Sequence, residues 1–201
     1  MSPIVSTLAG ASARGYGGLG ASVASAAVGA YESIATVTVG ASTAASIAFT
    51  SIPSTYQHLQ IRGILRGTPT YPDGEYGFVR INGDASSIYS ATYQGGNGTV
   101  AFSGAFGGTT SSWVISQIGT TNGDLANTFG GNIWDFLDYK DTNKNRTMRG
   151  WLANGRQTTG TAGLAAGSYR STSAITSIEV LPGGGSGWLQ YSTLALYGIK
   201  G

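Results

Sequence analysis

The sequence predicts an all-β protein: a jelly-roll-like antiparallel β-sandwich preceded by an extended N-terminal arm. Three observations carry this. Short runs rich in Val, Ile, Thr and aromatic residues alternate with polar positions along most of the chain. Between them lie clusters of Gly, Asn, Ser and Pro, with Gly at 33 of 201 residues, about double its usual share. No segment shows a convincing helical period, and no fixed repeat marks a propeller or solenoid.

Residues 1–30 differ from the rest. They are almost all Gly, Ala, Ser and short aliphatics, with one charge at Arg14. The glycines disfavour a helix. The segment reads either as a disordered tail or as an arm that orders against a neighbouring subunit, with Tyr16 and Leu19 as its anchor side chains. Residues 31–201 form the sandwich domain.

Within that domain Glu32–Val39 reads as a strand, as does Ser46–Ile52 with Ile47 and Phe49 on one face. Gln57–Arg66 is longer. Leu59, Ile61 and Leu65 face one way, with Gly63 in register, and His58, Gln60, Arg62 and Arg66 form a wet face joined by Ile64. Thr68–Glu75 is a turn-rich loop, and Tyr76–Asn82 is a strand with Val79 and Ile81 inward. Asn82-Gly83 reads as a tight turn of the hairpin kind. Ala85–Thr110 is Gly-rich, and part of it is expected to be strand. Ser111–Ile118 is a strand. Asn132–Tyr139 is apolar on both faces, which places it centrally, and it forms a hairpin with Arg146–Ala153 through the polar turn Lys140–Asn145. Asn154–Ser173 reads as a Gly/Thr/Ser loop. Ala174–Leu181 is a strand with Ile178 and Val180 inward, and Trp188–Lys200 closes the sheet. The total is about eight or nine strands.

Composition narrows the function. Charged residues are 10 % of the chain, against roughly 25 % in a typical soluble domain. The surface is therefore rich in hydroxyls and amides, with little repulsion to keep copies apart, which suits a protein that sits in an assembly. A net charge of +2 does not argue for nucleic acid. With no Cys, neither a disulfide nor a thiolate metal site can form. No apolar run reaches bilayer-spanning length, and MSPIVSTLAG lacks the pattern of a signal peptide.

The run ESIATVTVG from Glu32, continued by I-x-FTSIPSTYQHLQIRG from Ile47 to Gly63, resembles a small family of structural proteins of tailed bacteriophages. ARGYGG at Ala13–Gly18, INGD at Ile81–Asp84 and LALYGIKG at Leu194–Gly201 fit the same pattern. The resemblance runs from about residue 13 to the end and is one of fold-pattern residues. It implies an all-β, non-enzymatic virion component attached to tail or head, with no active-site residues to carry over. The expected location is the virion, assembled in the host cytoplasm. The expected partners are other virion proteins and other copies of the chain, as a trimer with charge-poor faces buried. A tail-associated fibre or adaptor is favoured over a head-decorating protein.

Candidate chemistry is sparse. The one His, His58, lacks convergent partners in the sequence, and no Ser lies in a G-x-S-x-G context. No acid pair stands out for glycoside hydrolysis. Asp138, Asp141 and Asn143 offer hard oxygens for Ca²⁺, but a polar turn with Asx hydrogen bonds explains them better, and Asp73 with Glu75 reads the same way. Lys140, Lys144, Arg146 and Arg149 form a basic cluster at a hairpin tip, either solvated or facing an acidic neighbour. The Gly-rich segments lack the following helix of a phosphate loop. No catalytic, cofactor or metal residues are expected. Tyr71, Tyr76, Tyr89 and Tyr93 are the candidate ligand or partner residues, either packed in the sandwich or presented as a platform for a host-surface glycan.

Overall fold

The computed structural model describes residues 29–68, 76–115, 126–155, 160–184 and 187–201. Arg14, Tyr16, Leu19, Tyr71, Asp73 and Glu75 lie outside them. Among the described residues there is no helix, and twelve strands form two antiparallel sheets. The strands are β1 (Tyr31–Thr38), β2 (Ile47–Phe49), β3 (His58–Leu65), β4 (Gly77–Ile81), β5 (Tyr89–Gly96), β6 (Ala101–Thr110), β7 (Trp113–Ile115), β8 (Gly130–Leu137), β9 (Arg146–Gly155), β10 (Gly160–Tyr169), β11 (Ile178–Pro182) and β12 (Thr193–Ile199). The large sheet runs β1-β12-β3-β8-β9-β10-β5-β6, and the small one runs β2-β11-β4-β7.

This order contains a jelly roll with two additions. Four antiparallel pairs nest inside one another along the chain: β1 with β12, β2 with β11, β3 with β8, and β4 with β7. Successive nested pairs alternate between the two sheets, as when one long folded-back double strand is rolled up. Two hairpins are inserted into this eight-stranded frame. β5–β6 enters between β4 and β7, β9–β10 enters between β8 and β11, and both extend the large sheet beyond β8.

Alternation explains which side chains fill the space between the sheets. Leu59, Ile61 and Leu65 of β3, Val79 and Ile81 of β4, Trp134 and Phe136 of β8, and Ile178 and Val180 of β11 are all fully buried. Trp113, Trp134 and Trp188 are the largest buried side chains. Burying a ring of about 200 Å² removes enough apolar surface to contribute roughly 5 kcal/mol before entropy is counted. Trp188 also donates its indole N–H to the Val180 carbonyl at 2.9 Å.

The structure corrects several sequence expectations. There are more strands than expected, and one of them, β10, lies inside the segment read as a Gly/Thr/Ser loop. Its large partner comes from the other sheet: a Cβ on Gly167 would lie 2.5 Å from the Trp113 ring of β7. Asn82-Gly83 is a tight turn, with φ of 52° and 69°, but it does not link a hairpin. β4 pairs with β11 and β7, while β5 crosses to the other sheet. The last strand is not at the edge, because β12 lies between β1 and β3. The β8–β9 hairpin and the central place of β8 match the expectation.

Candidate functional site

The inserted hairpins carry a broad depression. Outward residues of the large sheet align in rows across the strands. One row is Arg62, Ile133, Trp151, Leu164, Gln94 and Ser103, and the next is Gln60, Asp135, Arg149, Ala166, Thr92 and Ala105. Over β9, β10, β5 and β6 these rows line a trough of about 650 Å³, continuous with a second of about 530 Å³ through Gln94, Ser103, Trp151 and Leu164. Trp151 stands 60 % exposed at its side, with Ile133 next to it in the row.

Charge divides this face. Over β3, β8 and β9, Asp135 accepts from Gln60 Nε2 at 2.6 Å and from Arg149 Nε at 2.8 Å, and Gln60 in turn accepts from Arg62. Arg62 also lies over the Tyr31 ring, 5.3 Å from its centroid. Over β10, β5 and the first half of β6, the outward positions hold Ala, Ser, Thr, Gln, Gly and Leu and no charge. The chemistry offered there is one indole face, an amide and hydroxyls. That set can bury against a partner or stack and hydrogen-bond a neutral ligand.

The structure separates the candidate tyrosines. Tyr89 and Tyr93 belong to strand β5, and Tyr76 just precedes β4 in the other sheet. Tyr89 is fully buried and stacks on Tyr169 at 4.9 Å. Its hydroxyl accepts from Ile81 N at 3.0 Å and donates to Asp84 O at 2.9 Å, and burial pushes its pKa strongly up. The Tyr93 ring packs on Phe106 at 5.6 Å and crosses the space left by Gly104, on the face opposite the trough. Tyr76 is partly buried against the core. Tyr89 thus presents no surface to a ligand, and the exposed aromatic of this region is Trp151. Its signal in the sequence is its outward register in β9, where Arg146, Met148, Gly150 and Leu152 face in.

The polar clusters have structural partners. Lys144 Nζ sits 2.7 Å from Asp138 and 3.0 Å from Asp141, the place a cation would take between these carboxylates. Asn143 N donates to Asp141 Oδ1 at 2.8 Å, an Asx turn. Lys144 foremost, with Gln57, lowers the Asp138 pKa, and the Asn143 backbone N–H foremost, with Lys144, lowers that of Asp141. His58 Nδ1 accepts the Asp138 backbone N–H at 2.9 Å, so it fixes the strand end. Arg146, expected at a solvated tip, is 1 % exposed. It donates to the carbonyls of Lys144, Thr172 and Ser173 at 2.8–3.1 Å. Among the described residues no three His, Asp or Glu side chains converge. Comparison with protein-family models, with curated proteins and with solved structures gave no match for this chain.

Proposed function

We propose that the chain is a non-enzymatic structural protein of a tailed-bacteriophage virion, a tail-associated fibre or adaptor subunit. The observation that carries this reading is where the resembling segments lie. ESIATVTVG is β1 and the following turn, the Ile47–Gly63 run spans β2 into β3, and LALYGIKG is most of β12. β1, β12 and β3 are neighbours in the large sheet, and INGD closes β4. All of these belong to the jelly-roll frame, so the shared pattern specifies a scaffold rather than a reaction. The inserted hairpins add a face poor in charge, with Arg149 beside an exposed Trp151, the chemistry of a subunit contact. On this reading copies associate through that face, as a trimer, and residues 1–30, with Arg14, Tyr16 and Leu19, attach to other virion proteins.

Quantitative mass spectrometry of purified virions tests the reading. Copies on the order of tens indicate a tail or neck position, and copies on the order of hundreds a head-decorating protein, because virion symmetry fixes these numbers. Absence from the particle refutes it. A second reading is favoured by Trp151 sharing the trough with Gln94, Thr92 and Ser103: the trough as a lectin-like site for a neutral glycan of the host surface. Glycan-array binding that Trp151→Ala abolishes supports this second reading, and no binding by the wild-type chain refutes it.

A further inference from the structure

We propose that Arg66 is the anchor of a second site, one that binds the carboxylate of an acidic sugar such as a hexuronate. Arg66 directly follows β3 and is only 9 % exposed. Its Nε has no hydrogen-bond partner among the described residues. None of the ion pairs among the described residues includes it. A largely buried guanidinium with an N–H left without an acceptor favours an anionic partner.

Arg66 lines a depression of about 330 Å³, at the lower end of the roughly 300–1,000 Å³ of small-molecule sites and enough for a single sugar unit. Among the described residues the rest of the lining carries no acid. It holds Thr43, Asn127, Gln190, Tyr191 and apolar groups. Tyr191 is 63 % exposed. Both Asn127 and Tyr191 have left-handed backbones, with φ of 64° and 72°, and for an aromatic residue that conformation is uncommon enough to suggest a use. The wall they belong to is fixed. Leu189 N donates to Arg66 O at 2.7 Å, Arg66 N to Ser192 Oγ at 3.0 Å, and Tyr191 N to Val39 O at 3.0 Å. A bare carboxylate would engage only the guanidinium fork. A sugar acid also uses the tyrosine ring for its C–H face and the amides and hydroxyl for its own hydroxyls, which accounts for the whole lining.

The site is a property of the isolated protein and does not depend on the virion reading or on the trough. It is tested by calorimetric or NMR titration of the full chain with glucuronate and galacturonate, against acetate, inorganic phosphate and glucose. The expected result is saturable hexuronate binding that weakens with salt, weaker acetate binding and none of glucose. Arg66→Met removes an unpaired buried charge, so the melting temperature should hold or rise, while hexuronate affinity falls at least about tenfold with the loss of a charged hydrogen bond. If that variant fails to fold, Tyr191→Ala, at an exposed position, should weaken hexuronate and leave acetate unchanged. Equal hexuronate binding by wild type and Arg66→Met overturns the proposal. So does no saturation, glucose binding as well as hexuronate, or phosphate binding more tightly than hexuronate. A change in assembly mass on Arg66→Met without hexuronate binding also overturns it, and makes the anion an acidic side chain of another copy.

Discussion

Replacing Asn82 tests whether the INGD segment works as a staple between distant parts of the chain. Asn82 Oδ1 accepts from Thr176 N at 2.8 Å, Ser177 N at 3.1 Å and Thr176 Oγ1 at 3.2 Å, and Nδ2 donates to Ala174 O at 2.8 Å. The residue also sits at φ 52°. Asn82→Ala loses four hydrogen bonds at about 1 kcal/mol each, less the share that water replaces at this half-exposed site, and adds about 1 kcal/mol for a left-handed Ala. The sum is about 3–4 kcal/mol. Asn82→Gly relieves the backbone but not the hydrogen bonds, and should cost about 2–3 kcal/mol. Asn82→Asp keeps the three accepted bonds and loses the donated one, for about 1 kcal/mol. Urea unfolding followed by fluorescence reads the series, since Trp113, Trp134 and Trp188 are buried and change environment on unfolding. The diagnostic is the order Ala, Gly, Asp from most to least destabilised. An Asn82→Ala variant within about 1 kcal/mol of wild type refutes the staple, because the lost bonds alone exceed that.

Further tests follow from packing and charge. A Cβ on Gly63 would lie 1.9 Å from the Thr193 carbonyl oxygen of the paired strand, so Gly63→Ala should separate β3 from β12 and cost more than about 3 kcal/mol; an unchanged melting temperature would contradict it. Arg146→Met strips hydrogen bonds from three carbonyls and should destabilise by about 2–4 kcal/mol in the same urea assay, the opposite sign to Arg66→Met. Lys200 foremost, with Tyr56, lowers the Glu32 pKa; the Ser86 hydroxyl and N–H foremost lower that of Asp84. With Asp138 and Asp141 these carboxyls have folded pKa values below their unfolded ones. Their contribution is therefore full above the ordinary carboxylate range near pH 4 and is lost as pH falls through the folded values. Melting temperature should drop between about pH 5 and pH 2, and Lys144→Met should flatten that drop; an equally steep drop in the variant would rule out the Asp138 and Asp141 part.

The frame of the fold was legible because its strands carry their own bulk. Leu59, Ile61 and Leu65, or Ile178 and Val180, alternate with polar residues, and burial follows the alternation. The inserted hairpins were harder to read for the complementary reason. β10 reads GTAGLAAGSY, and its inner positions are small because large rings from elsewhere fill them. The Trp113 indole occupies the space beside Gly167, and Trp113 with Trp134 fills that beside Gly150. A single strand cannot show in its own pattern a side chain supplied by its neighbour. The wet face of β3 holds at Arg62 but fails at Gln60, which is buried under its bonds to Asp135 and Arg62, and at Arg66, which lies one residue past the strand end where alternation no longer holds. The tyrosines were grouped by closeness in sequence, whereas strand alternation turns Tyr89 and Tyr93 inward and Trp151 outward.

These failures fall where the chain departs from its scaffold. The frame strands β1, β2, β3 and β12 and the end of β4 are accounted for by pairing, burial or a turn. The trough is built on the two hairpins added to that scaffold, and the Arg66 depression on the turns at the end of β3 and before β12. Neither cavity uses a residue from INGD or the ESIATVTVG strand. The specificity of this chain should therefore follow Trp151 and Arg66 rather than the residues that pair and pack the frame.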